Sequence, residues 1–88
     1  MAKVKKAAKG SGKAKRNSND LTKLGDRIKS LRLAKGYSNY EYFAFEHDIP
    51  RAQYGRYERG EDLRYGSLLK VIRAFGMTPK EFFSEGFD

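Results

Sequence analysis

From Leu21 onward, apolar side chains return at helical intervals and polar ones fill the gaps. Leu21, Leu24, Ile28 and Leu31, with Leu33 at the margin, recur every three or four residues, while Lys23, Arg27 and Lys29 fall elsewhere. This pattern predicts an amphipathic helix over residues 21–35, ended by Gly36 as a left-handed cap. Ser38 followed by Glu41 has the spacing of a capping box and predicts a second, short helix over 39–46. Tyr42, Phe43 and Phe45 supply its aromatic mass, and Ala44 is the one small side chain where another helix can approach closely.

Asp48-Ile49-Pro50 interrupts the pattern, because proline disfavours a helical Ile49 yet suits the first turn of a new helix. A third helix is expected over 51–58, with Tyr54 and Tyr57 facing inward and Arg51, Ala52, Gln53 and Arg56 on or beside its outer face. Gly55 inside it costs about 1 kcal/mol relative to alanine, which suggests that a side chain there would strike a neighbouring helix or a ligand. Residues 58–62 read as a polar loop. Tyr65, Leu68, Leu69, Ile72 and Phe75 mark a fourth helix over 65–75, stopped by Gly76. Thr78-Pro79-Lys80-Glu81 predicts a fifth over 79–85, with Met77 and Phe82 or Phe83 closing the core and Gly86 ending the helix. No alternating strand pattern competes. Five short helices with short connections imply an all-α, compact five-helix domain over residues 21–88.

The first twenty residues differ in kind. Seven basic residues, among them Lys13, Lys15 and Arg16, stand against the single acid Asp20, so six of the eight excess positive charges lie there and the remainder is only mildly basic. With almost no apolar content, residues 1–20 read as a disordered basic arm and carry no membrane span or secretory leader. General affinity for nucleic acid would come from this arm, and selectivity from a local patch of the helical domain.

Other chemistry is thinly represented. The chain has no cysteine and one histidine, His47, which is expected at the surface of an interhelical turn. Neither a metal cluster nor a nucleophile–base pair is legible, so no cofactor and no enzymatic activity are expected. Tyr37, Tyr40, Tyr42, Phe43, Phe45, Tyr54, Tyr57 and Tyr65 form an unusual aromatic complement, most of which a small domain should bury.

The ordered segments Leu24 to Arg32, Lys35 to Ser38, Ile49 to Gly60, Leu68 to Gly76 and Met77 to Phe83 together resemble the Cro/cI-repressor type, or XRE-like, helix-turn-helix family. The resemblance implies the lambda-repressor-like fold and a cytoplasmic transcriptional regulator that binds double-stranded DNA, commonly as a homodimer. It places the third helix in the major groove with Arg51, Ala52, Gln53 and Arg56 as base-contacting residues. Arginine suits guanine, glutamine adenine, and alanine a thymine methyl group. Ser38, Asn39, Tyr40 and Arg59, with Lys13, Lys15 and Arg16 of the arm, are the candidates for phosphate. Arg32 and Glu58 match a structural pair.

The chain departs from the family in carrying one more residue between Gly36 and Pro50, and in having Asp48 where glycine is usual. The phosphate-facing position at the start of the second helix therefore falls on Tyr40 or on Asn39, depending on alignment. Phe82, Phe83 and Phe87 are apolar candidates for a subunit surface. Two other readings compete with a sequence-selective repressor: a protein-interaction or antitoxin-like module, and a nonspecific nucleic-acid binder led by the arm.

Overall fold

Five helices follow one another in the computed structural model, which describes residues 18–88: α1 (Ser18–Ala34), α2 (Tyr40–Glu46), α3 (Arg51–Glu58), α4 (Tyr65–Ala74) and α5 (Pro79–Phe82). The expected all-α, five-helix architecture is present. The helix α1 takes in residues 18–20, which the charge pattern had given to the arm. Lys13, Lys15 and Arg16 lie outside the described residues.

The first four helices stop in one way. After each, a residue of positive φ lets two backbone amides turn back onto the last carbonyls, the Schellman arrangement. At α1 the pivot is Gly36 (φ 93°), with Tyr37 N donating to Arg32 O at 3.2 Å and Gly36 N to Leu33 O at 3.0 Å. Gly60 and Gly76 serve α3 and α4 in the same manner. At α2 the pivot is Asp48 (φ 58°), the one non-glycine residue with positive φ among those described, and Ile49 N donates to Ala44 O at 2.9 Å.

Helix starts differ more from expectation. The N-cap of α2 is Asn39, whose Oδ1 accepts from Glu41 N at 2.7 Å and Tyr42 N at 3.1 Å, so Ser38 forms no capping box. Asparagine caps as well as serine, and two such residues in succession hide the true start from a pattern reading. At α5 the expected box is made: Thr78 Oγ1 accepts from Glu81 N, and Glu81 Oε1 from Thr78 N. This helix ends at Phe82 rather than at 85, because other donors take the carbonyls a further turn would use. Arg27 Nε donates to Phe82 O at 2.8 Å and Nη2 to Glu81 O at 3.1 Å, while Ser84 Oγ also reaches Glu81 O.

The core joins all five helices. Ile28, Phe43, Tyr54, Val71, Ile72 and Phe82 are fully buried, each side chain contributing about 1.5–3 kcal/mol by leaving water. Phe43 is central, with ring centroids 5.3 Å from Tyr54 and 5.2 Å from Phe75. Of the eight aromatic residues from Tyr37 to Tyr65, Phe43, Tyr54 and Tyr57 are buried and Tyr37 and Tyr40 half-buried, whereas Tyr42, Phe45 and Tyr65 are exposed, as is Leu33. The short α2 has one inward face, formed by Phe43 and Ala44 with half-buried Tyr40, and the two flanking aromatics necessarily point away. Phe82 closes the carboxyl end, whereas Phe83 is exposed.

Candidate nucleic-acid interface

The candidate surface is the outward side of α3, and its aim depends on how the inward side is held. Tyr54 and Tyr57 are buried, three residues apart as the helical period requires. The crossing with α1 is close: a Cβ on Gly25 would lie 2.6 Å from Glu58 O and 2.9 Å from Gly60 N, backbone atoms that cannot move aside. Only glycine allows α1 and α3 this approach.

Above that crossing lies a buried ion pair. Arg32 Nε and Nη2 donate to Glu58 Oε2 and Oε1 at 2.7 and 3.0 Å, a two-pronged contact between side chains only 5 and 9% exposed. Arg32 Nη1 also donates to Tyr37 O at 2.6 Å, so one guanidinium ties the end of α3 to the connection after α1. The hydrogen bond that Arg32 donates to Glu58 raises the pKa of Arg32 despite its burial. The Tyr54 hydroxyl nearby is buried without a hydrogen-bond partner; burial, followed by the Glu58 carboxylate, pushes its ionisation upward.

The α2 side is aromatic. Tyr40 stacks on Tyr54 with centroids 6.2 Å apart, and its ring would stand 3.0 Å from a Cβ on Gly55. Gly55 is therefore the point where Tyr40 lies over α3. The intervening turn is braced by Lys70 Nζ, which donates to Asp48 O at 2.8 Å. His47 is not a free surface residue: it is half-buried at the C-cap of α2, its ring 4.4 Å from that of Phe43. Before α2, the Tyr37 hydroxyl donates to Glu46 Oε1 at 2.6 Å, and the Tyr37 and Tyr42 hydroxyls hold this carboxyl below its ordinary range.

On the outward side Arg51, Ala52 and Arg56 are exposed, and Gln53 is half-buried at the margin. The two arginines have loose acidic neighbours, Glu41 at 3.9 Å from Arg51 and Glu61 at 3.8 Å from Arg56. Such exposed pairs are worth about 0–1 kcal/mol and yield readily to another anion. Gln53 Nε2 donates to the Tyr57 hydroxyl. Arg59 is exposed at the C-cap of α3, Ser38 and Asn39 are exposed before α2, and Tyr40 is half-buried. Asn39 uses its side-chain oxygen in capping, which leaves its amide nitrogen as the free donor.

A groove of about 230 Å³ runs beside α3, lined by Gln53, Arg56, Tyr57, Arg64 and Ser67 among others. Pattern reading passed over Arg64, which falls between the polar loop at 58–62 and the expected start of the fourth helix; its position just before α4 was the available signal. Arg27 was likewise read as a solvated residue. It reaches back to α5 and lies 5.7 Å over the Phe82 ring.

The profile of the helix-turn-helix family matches residues 28–82, from the middle of α1 to the end of α5. The chain belongs to the helix-turn-helix family. Within the matched residues α2 and α3 follow one another across the turn at Asp48. Two relatives define its neighbourhood within the family. The control protein C.BamHI of Bacillus amyloliquefaciens is 30% identical over 59 residues, which span 66% of this chain and 73% of that protein. The high-resolution crystal structure of the restriction-modification controller protein C.AhdI from Aeromonas hydrophila aligns with a TM-score of 0.65 at 37% identity, over 73% of this chain and 97% of that one. The resemblance to the Cro/cI type thus holds at the level of the wider helix-turn-helix superfamily, within which the chain falls with the controller proteins, small regulators that are not enzymes, and not specifically with Cro/cI repressors. Among the described residues no helix is long and apolar enough to cross a membrane.

Proposed function

We propose that this helix-turn-helix protein is a sequence-selective double-stranded DNA-binding regulator, working in the cytoplasm as a homodimer and acting as a repressor by occupying its site. The single observation that carries the reading is the two-sidedness of α3: Tyr54, Gly55 and Tyr57 are buried, while Arg51, Ala52 and Arg56 are exposed together on a rigidly seated helix. In this reading α3 enters the major groove, Arg51 and Arg56 address guanine, Gln53 adenine, and Ala52 a thymine methyl group. Ser38, Asn39, Tyr40 and Arg59 meet phosphates, joined by Lys13, Lys15 and Arg16 of the arm. The description of one relative as a restriction-modification controller supports a further step: the controlled genes belong to a restriction–modification system.

Selection from a random duplex library tests this directly, since it reports both specificity and half-site spacing. A defined, near-palindromic site is the expected result, and equal affinity for all duplexes would overturn the reading. On that site Arg51→Ala and Arg56→Ala should each cost about 1–3 kcal/mol, mostly at one base pair, with folding stability unchanged. A loss uniform across sequences would assign them to phosphate instead.

A protein-docking module is the second reading, favoured by Phe45, 79% exposed on α2 beside the exposed Tyr42. Stable capture of a protein without any nucleic-acid binding would select it.

A further inference from the structure

Gln53 is a surface glutamine with a buried anchor. Its Nε2 donates to the hydroxyl of Tyr57, one turn further along α3, and the Tyr57 ring is only 6% exposed and packs edge-on against Tyr54. Both residues line the groove beside α3, together with Arg56. A free glutamine side chain has three rotatable bonds and samples many orientations, so binding through its carboxamide ordinarily includes the loss of that freedom. Here a ring fixed in the core restricts it before any ligand arrives.

The hydrogen-bond inventory shows what remains for a ligand. The carboxamide has two N–H donors and one oxygen, and Tyr57 engages one donor. Among the described residues the other donor and Oε1 make no hydrogen bond. That pair matches the adenine edge in the major groove, where N7 accepts and the N6 amino group donates. The geometry points to Tyr57 as a positioning residue that sets the base preference of Gln53, holding its carboxamide so that the free N–H and Oε1 engage one adenine. This assignment rests on α3 being the DNA-reading helix. It divides Tyr57 between two roles: its ring packs the core, and its hydroxyl aims Gln53. Tyr57→Phe removes the second role and keeps the first.

The test uses the full chain, the duplex found by selection, and duplexes changed one base pair at a time. Wild type, Gln53→Ala, Tyr57→Phe and the double variant are compared by dissociation constant. Gln53→Ala should erase the preference at one A·T pair. Tyr57→Phe should weaken binding to the selected duplex by about three- to ten-fold and blunt discrimination at that same pair, with the salt slope unchanged. In the Gln53→Ala background, Tyr57→Phe should add nothing. A loss equal on every duplex, a full additional loss in the double variant, or no change in Tyr57→Phe would overturn the assignment. A second readout is independent of DNA: the Gln53 side-chain amide resonances of the free protein should shift toward freely rotating glutamine in Tyr57→Phe while the backbone spectrum stays folded, and unshifted resonances would count equally against it. Wild type lacking any sequence preference would fail the reading of α3 itself, before any variant is compared.

Discussion

The inward and outward faces of α3 are built on opposite terms. Inward, Glu58 is gripped by Arg32 through two short bonds, and the approach to α1 at Gly25 leaves no room for a methyl group. Outward, Arg51 and Arg56 have acidic neighbours at 3.9 and 3.8 Å in water. Charge is present on both faces, and burial alone separates its roles: desolvated charge commits the helix to one seat, whereas hydrated charge stays free for a ligand. Stability and recognition should therefore respond to different substitutions along eight residues of helix.

The largest effect should come from separating the buried charges. Arg32→Ala or Glu58→Ala strands its partner and should lower unfolding free energy by about 3–5 kcal/mol, with the double variant well short of the sum. Small additive losses in chemical denaturation would show that the two faces are less different than their exposures indicate. Next come two glycines, Gly25 where α1 crosses α3 and Gly55 where Tyr40 of α2 lies over α3. Gly25→Ala should cost about 3 kcal/mol, because the atoms it meets are backbone. Gly55→Ala should fall within about 1 kcal/mol of wild type, since the Tyr40 ring can yield and alanine favours the helix. Equal losses at the two sites would mean that Tyr40 is as immovable as the α1 crossing. Smallest is Asp48→Gly, which relieves a left-handed aspartate and should raise the thermal midpoint by an amount equivalent to about 0.5–1 kcal/mol. A lowered midpoint would assign the Asp48 side chain a stabilising role.

How much of this was legible in the sequence depended on whether a residue's neighbours were local. The existence of α1 and α4 followed from periodicity, that of α2 and α5 from capping signals and that of α3 from Pro50 and the tyrosine spacing, and the endings at Gly36 and Gly76 from the need for positive φ. The inward placement of Tyr54 and Tyr57 followed from spacing alone. The start of α2 was misplaced by one cap because Ser38 and Asn39 are chemically equivalent for that task. Which aromatic residues of α2 face outward was not legible, because Tyr42 and Phe45 flank the inward Phe43 and Ala44 and blur the periodicity of the helix. The hold of Arg27 on α5 spans more than fifty residues of chain, a distance at which a pattern carries no signal. At the candidate site, the outward residues of α3 were legible, whereas the bond from Gln53 to Tyr57 required coordinates.

Tyr54 gives the molecule an optical handle on its own cohesion. The chain contains no tryptophan, so its near-ultraviolet absorbance is dominated by tyrosine, and Tyr54 is the fully buried one, its hydroxyl unpartnered beside the Arg32–Glu58 pair. Its ionisation is raised in the folded state, so its neutral ring stabilises the fold fully below about pH 10, the ordinary tyrosine value, and that contribution declines at more alkaline pH. Tyrosinate absorbance from this ring should emerge when α3 leaves its seat, which turns an alkaline titration into a clock for the opening of that helix.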